Sequence, residues 1–361
     1  MKCLAILINY HGAQLICDAA ESLAGDPECD EIHVVDNSVG ADQAAWLREH
    51  LRTGVRLTVS PENLGFARAC NLAFADSDAD CVLLLNPDAR LLPGALRRLK
   101  ETLSAHPRVG AVGPRVFWDV ERQFLLPPST YPSRVGFALD RLGECWPALA
   151  AHRADRFRRR SLREWQQTEP FRVDALSGGH VLLRRSALLQ AGGLFDPRFF
   201  MYWEDSDLMR RLQDAGQQLL LDPRAEAVHL YEHSPGKDGL ISQGWPAFAQ
   251  KHFASAWWSL LARMAARYAK DQGVADFAVI DSSASEDCIE IHVPAELRSA
   301  WLLEFSPSPH FVPSIGRLGC GEYARLPRAL AARFKGREYY LRLGARAPTR
   351  VRPLLYSVRG G

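Results

Sequence analysis

The stretch Cys81-Val82-Leu83-Leu84-Leu85-Asn86-Pro87-Asp88-Ala89-Arg90 decides the fold. Its aliphatic run reads as a strand buried on both faces, the habit of the middle of a parallel sheet. The strand ends at an amide, a proline and a carboxylate. In open α/β sheets ligands bind beyond the carboxyl ends of strands, so Asn86 and Asp88 stand where chemistry is expected. Pro87 restricts Asn86 to extended geometry and fixes the relation of the two side chains. A carboxylate so placed suits a hard divalent cation carrying a diphosphate. Asn-Pro-Asp is also ordinary turn chemistry, so both readings stand on this stretch alone.

Working outward, strands alternate with helices on both sides. Leu4–Ile8 ends at Asn9-Tyr10-His11-Gly12 and precedes a helix near Ala13–Leu23. Ile32–Val35 ends at Asp36-Asn37-Ser38, with a helix near Gln43–Leu51. Val55–Val59 leads through Asn63-Leu64-Gly65 into a helix from about Phe66. After the Asn-Pro-Asp strand a helix starts near Pro93, and Val109–Gly113 is a short fifth strand. This alternation predicts a doubly wound, mostly parallel sheet. The first loop carries one glycine, Gly12, where a dinucleotide fold shows G-x-G-x-x-G, so hydride transfer is disfavoured. Asp36 reads either as a base or ribose binder or as a helix N-cap.

From Phe117 to Phe171 the alternation lapses. Prolines, aromatics and Arg153, Arg156, Arg158, Arg159, Arg160 and Arg163 fill the interval. Such a segment is expected to be a lid or binding loop at about residues 117–172. Its arginines face either an anionic lipid or diphosphate, or solvent from a helix carrying an Arg160–Glu164 pair. Order returns at Ser177-Gly178-Gly179-His180, where two glycines let the backbone pass close to a ligand or another strand.

The acidic run Trp203-Glu204-Asp205-Ser206-Asp207 opens a helix. Helical phase puts Asp205 on the face of Leu208, Met209 and Leu212, and Asp207 with Arg211 and Asp214 on a face expected in solvent. An inward carboxylate needs a purpose, and general-base catalysis is one, so Asp205 is the candidate base. His229 reads as a metal ligand or as a satisfied core histidine.

The net charge of +2, from 44 Lys+Arg and 42 Asp+Glu, argues against nucleic acid as a partner. The eight cysteines form no C-x-x-C pair and read as reduced thiols. The chain opens on a strand without a signal-like segment and has no 18-residue apolar run. A cytoplasmic location is therefore expected, with peripheral contact to an anionic membrane through the arginines and the tryptophan-rich stretch after Gly244. Short strands such as Cys288–Val293, Ala300–Phe305 and Tyr339–Leu343 point to a small β-rich, sandwich-like region. The expected organisation is an α/β domain over 1–253, a helical linker over 254–272 and a β-rich accessory domain over 273–361. Because the motifs end before residue 255, the last domain is expected to be separable from the chemistry.

In their order, Ile8-Asn9-Tyr10, Val35-Asp36-Asn37-Ser38, Glu62-Asn63-Leu64-Gly65-Phe66, Asn86-Pro87-Asp88, Ser177-Gly178-Gly179, Gly192-Gly193-Leu194-Phe195-Asp196 and Trp203-Glu204-Asp205 resemble an inverting family 2 glycosyltransferase of the GT-A fold, close to bacterial rhamnosyltransferases. The resemblance covers roughly the first 250 residues. It implies a nucleotide-sugar donor and a saccharide or lipid-linked acceptor. Asp36, with Tyr10 nearby, would hold a uracil or thymine base, and Asn63 and Arg68 would border the nucleotide. Asp88 matches the last acid of the D-x-D motif, with Asn86 in place of the first, and His229 falls where relatives bind metal, implying Mg²⁺ or Mn²⁺. Asp205 matches the general base. Gly178, Gly179, Trp203 and Glu204 fall on the acceptor side. A nucleotide- or carbohydrate-binding protein that kept the fold remains an alternative; a nucleotidyltransferase would want a glycine-rich basic loop after the first strand, which is missing.

Overall fold

The computed structural model describes residues 1–133, 136, 139, 142, 146–230, 237–253, 277–281, 287–334, 338–347 and 352–359. The first half alternates as expected: β1 (Cys3–Asn9), α1 (Ala13–Glu21), β2 (Glu31–Asp36), α2 (Ala41–His50), β3 (Arg56–Val59), α3 (Gly65–Ala75) and β4 (Cys81–Leu85). Then follow β5 (Ala89–Leu91), α4 (Ala95–Ala105), β6 (Val109–Phe117), α5 (Pro147–Trp165), β7 (Phe171–Arg172), β8 (His180–Arg184), α6 (Arg185–Gln190), α7 (Glu204–Asp214), β9 (Gln218–His229) and α8 (Lys237–His252).

The main sheet runs β3-β2-β1-β4-β8-β6-β9-β5, with β7 beside β9. Strands β3, β2, β1 and β4 are parallel, and β8 is inserted antiparallel between β4 and β6. The apolar run of β4 explains its central place. Val82 and Leu84 enter the core on one face with α3, α6, α7 and α8, while Cys81, Leu83 and Leu85 enter the other with α1, α2 and α4. Every β4 side chain is buried, and a fully buried aliphatic side chain contributes about 1.5–3 kcal/mol. The helices thus sandwich the sheet and leave its carboxyl edge open for polar loops.

The arginine-rich interval is not the irregular lid expected from its prolines. It contains the 19-residue helix α5, whose buried Ala154, Phe157, Leu162 and Trp165 recur at helical spacing. Arg160 pairs with Glu164 at 2.6 Å and Arg159 with Asp155 at 2.8 Å, so two of the six arginines are paired within the helix. Arg156 and Arg163 stay exposed.

The C-terminal region is β-rich, as expected. One sheet orders β10 (Ala278–Asp281), β16 (Leu354–Arg359), β15 (Tyr339–Ala345), β12 (Trp301–Ser306) and β13 (Ile315–Gly319), and a second pairs β11 (Cys288–His292) with β14 (Tyr323–Pro327). Their shared core includes Trp118 and Phe124 from the segment after β6. Leu125 and Gly316 exchange backbone hydrogen bonds of 2.8 and 3.0 Å across the junction. The expected linker over 254–272, with Trp257 and Trp258, lies outside the described residues. Among the described residues no helix is long and apolar enough to cross a membrane.

Candidate active site

Three strand ends and one helix start meet at the carboxyl edge of the sheet. At the end of β1, buried Asn9 is the register partner of Asp36 on β2. Its amide donates to Asp36 Oδ1 at 2.9 Å and to Ser38 Oγ at 3.1 Å, and the Ser38 N–H also reaches Oδ1 at 3.2 Å. The other carboxylate oxygen, Asp36 Oδ2, is buried and has no hydrogen-bond partner among the described residues. A buried carboxylate oxygen left bare is costly, so an N–H donor from outside the chain fits there. Asp36 is thus no N-cap: α2 starts after Gly40 without a side-chain cap. Tyr10 beside it is exposed and meets the His11 ring edge-on.

Asn63 and Arg68 each have a partner within the chain. Asn63 Oδ1 accepts from the Asn37 amide at 2.8 Å and from the Gly65 N–H at 3.0 Å, shaping the loop into α3. Gly65 has φ +72°, and a Cβ there would collide with the Phe200 carbonyl. Arg68 is exposed and pairs with Glu62 at 3.3 Å.

The Asn86-Pro87-Asp88 turn is clamped by Arg90, whose Nη1 donates to the carbonyls of Pro87 at 2.6 Å and Ala89 at 2.7 Å. Antiparallel pairing of β5 with β9 sets Ala89 opposite His229, which brings His229 Nε2 to 3.1 Å from Asp88 Oδ1. Burial works to raise the Asp88 carboxyl, but the hydrogen bond and charge of His229 outweigh it and hold the group below its ordinary value. His180, the register partner of Leu85, stands edge-on to the His229 ring at 5.4 Å; burial, aided by His229, pushes it down to about 3, so it stays neutral.

A metal fits this pair. Neighbouring ligands of an octahedral Mg²⁺ at about 2.1 Å lie roughly 3 Å apart, close to the Asp88–His229 separation. Among the described residues no cluster of three His, Cys, Asp or Glu is found.

The diglycine step joins these groups to the acidic helix. Gly179 O accepts the Asn86 N–H at 2.9 Å, and a Cβ on Gly179 would run into the Asn86 amide. A Cβ on Gly178 would stand 3.1 Å from Asp205 Cβ, and its N–H reaches Asp205 Oδ2 at 3.3 Å. The expected close backbone approach is thus between Asn86 and Asp205. The helix α7 begins after Tyr202 and Trp203, both in the left-handed region at φ 67° and 71°. Asp205 is part-buried, accepts the Ser206 N–H at 2.6 Å, and burial raises its carboxyl above the ordinary value. Glu204 is buried with Oε2 unpartnered among the described residues; burial first, then the neighbouring Asp205, pushes it up to about 8. The Trp203 ring packs on Trp245 and Phe248, and its N–H donates to Ile241 O at 2.8 Å, so it anchors α8.

Asp207 overturns the solvent-facing expectation. It is fully buried, bonded to Arg211 at 2.8 Å, Lys251 at 2.7 Å and His252 at 2.8 Å. The helical phase toward Arg211 is right, but α8 covers that face. The sequence reading also missed Asn9 and His180 as site residues; register beside Asp36 and Leu85 is the signal that points to them.

A model of glycosyl transferase family 2 matches residues 5–188, just over half of the chain. The chain belongs to glycosyl transferase family 2. Its α/β sheet is accordingly of the GT-A type. Curated relatives include the N-acetylglucosaminyl-diphospho-decaprenol L-rhamnosyltransferase of Mycobacterium tuberculosis, strains CDC 1551 / Oshkosh and ATCC 25618 / H37Rv. Each is 36% identical over 216 residues, 55% of this chain and 65% of the relative's own length. Among solved structures, a GalNAc-T7 crystal structure with UDP, GalNAc and Mn²⁺ aligns with a TM-score of 0.47 at 13% identity, over 74% of this chain and 54% of that one. A crystal structure of a mycobacterial protein aligns with a TM-score of 0.45 at 17% identity, over 71% and 76%.

Proposed function

We propose that this family 2 member transfers a deoxyhexose of the rhamnose kind from a dTDP- or UDP-sugar to a hydroxyl of a saccharide or lipid-linked acceptor, with inversion at the anomeric carbon. The observation that carries this reading is that Asp205 and the Asn86–Asp88 turn flank one diglycine step, Asp205 bonded to Gly178 and Asn86 to Gly179. A base and a diphosphate-binding carboxylate on two sides of one cleft suit attack from the face opposite the leaving group.

The bare Asp36 Oδ2 would accept the imide N–H of a uracil or thymine, held in place by Asn9 and Ser38. Asp88 and His229 would hold Mg²⁺ or Mn²⁺, which when bound supplies positive charge to the departing diphosphate. Asp205 would take the proton of the acceptor hydroxyl as its oxygen bonds to the anomeric carbon and the bond from that carbon to phosphate breaks. Its raised carboxyl suits that role, since a base works best with a pKa nearer the operating pH. The mycobacterial relatives, by name, act with a rhamnosyl donor and a diphospho-decaprenol acceptor, which supports the donor sugar and a lipid-linked acceptor. Exposed Arg156 and Arg163 on α5 suit peripheral contact with an anionic membrane at its cytoplasmic face.

The test is single-turnover transfer by the full chain with Mg²⁺, dTDP-L-rhamnose or UDP-sugars, and an N-acetylglucosaminyl-diphospho-prenol. An inverted glycoside is expected. Retained configuration, or nucleotide binding with neither transfer nor donor hydrolysis, would overturn the reading.

A further inference from the structure

A cavity of about 440 Å³ adjoins the site, with Ser177, His180 and His229 in its lining. The rest of the wall comes from three parts of the chain that are far apart in sequence. Val173 and Leu176 come from the α/β domain, Pro128 and Trp165 from the interval around α5, and Phe305 and Pro307 from the C-terminal sheet. The volume is in the range that houses small ligands.

The wall is built before any ligand arrives. The Leu125–Gly316 backbone pair ties the α5 interval to β13, and a Cβ on Gly316 would collide with the Trp165 ring. Arg158 Nε donates to buried Glu304 at 2.8 Å, holding β12 against α5. The two charged residues of the lining are already engaged. Glu164 is paired with Arg160, and Arg115 Nη2 donates to the carbonyls of Trp165 and Gln167. A saccharide subsite needs an array of fixed donors and acceptors, because buried hydroxyls left unpaired are penalised. This wall offers mainly C–H surface. Ser177 in this wall directly precedes Gly178, whose N–H reaches Asp205 Oδ2 at 3.3 Å, where the acceptor hydroxyl would sit.

We infer that this cavity receives the hydrocarbon segment of a lipid-linked acceptor, and that the C-terminal β-rich region is its outer wall and selects that acceptor. The inference rests on the acceptor assignment above. Removal of the C-terminal region would therefore remove acceptor selection, contrary to the expectation that it is separable from the chemistry.

The test is calorimetric binding to the full chain of two N-acetylglucosaminyl diphosphate esters, one farnesyl and one methyl. The farnesyl probe is expected to bind at least about ten-fold more tightly, since its hydrocarbon leaves water for an apolar wall. Val173→Trp and Pro307→Trp fill the cavity from opposite parts of the chain, and each is expected to abolish that advantage. Retained dTDP affinity shows that a variant is folded. Equal affinity of the two probes for the unaltered protein, or an advantage that survives both substitutions, would overturn the inference. A farnesyl preference without sugar transfer to either probe would instead overturn the proposed activity and leave the cavity assignment standing.

Discussion

His229 Nε2 lies 3.1 Å from Asp88 Oδ1, an approach made by the antiparallel pairing of β5 with β9. The contact holds the Asp88 carboxyl below its ordinary value in spite of burial. A depressed acid stabilises the fold above its unfolded pKa and loses that contribution as pH falls through the folded value. For Asp88 this loss belongs below about pH 4. Across pH 6–8 the carboxylate is charged and available to a cation. Asp88→Ala is expected to abolish the Mg²⁺ dependence of dTDP binding while the protein stays folded. A variant whose dTDP affinity still rises with Mg²⁺ as much as the parent's, by calorimetry, would reject this role.

The two carboxylates of α7 are expected to separate cleanly. Asp205→Asn keeps the shape and removes the base, so transfer should fall at least about 100-fold while donor affinity changes little. Single-turnover rates under saturating donor decide it; a variant within a few-fold of the parent would sink the assignment.

Asp207→Asn should act on stability. Its carboxylate neutralises Arg211 and Lys251 and is bonded to His252, and loss of one partner from a buried ionic group costs about 3–5 kcal/mol. That is roughly ten times an exposed helical pair, the scale that a solvent-facing Asp207 would have implied. The Asp207 carboxyl works against burial and is lowered by Lys251, Arg211 and His252, so its contribution is present at neutral pH and fades on acidification through the carboxylate range. Urea unfolding at pH 7 checks the magnitude, and a loss under 1 kcal/mol would be inconsistent with this network.

Much of this architecture was legible because burial imposes local patterns. A central strand must be apolar on both faces, so Cys81–Leu85 announced itself and its end marked the cleft. The inward placement of Asp205 beside Gly178 was legible from helical phase with Leu208, Met209 and Leu212. Asp207 was not, because Lys251 and His252 arrive from α8 some 45 residues later. The Asp88–His229 pair likewise depends on a strand register that no local periodicity encodes. Helix α5 was obscured for another reason: its arginines mask the apolar stripe of Ala154, Phe157, Leu162 and Trp165. The cavity wall was the least legible, since it needs the C-terminal sheet to fold back on the interval after β6.

Glu304 is expected to hold that sheet in place. It is fully buried and accepts from Arg158 Nε at 2.8 Å and from Arg342 Nε and Nη2 at 2.6 Å each. Glu304→Gln leaves two guanidinium groups without their counter-charge, at a cost of about 3–5 kcal/mol. The expected readout is a lower urea midpoint, together with loss of the farnesyl preference as β12 loosens from α5. A variant as stable as the parent would show that the clamp carries no net energy.

Glu204 should give the opposite response to pH. Its carboxyl is buried, one oxygen has no partner among the described residues, and burial with the adjacent Asp205 raises it to about 8. An acid raised in the folded state binds its proton more tightly there than in the unfolded chain. Its contribution is therefore complete below the unfolded value of about 4.3 and is lost as pH rises toward 8. Glu204→Gln is the neutral isostere and has no proton to lose. The variant should gain on the parent as pH rises from 5 to 8, by at least about 1 kcal/mol. The comparison is urea unfolding of both proteins at several pH values, and it needs no substrate. Parallel stability curves across that range would mean that Glu204 is ionised in the folded protein and that its buried oxygen has found a partner.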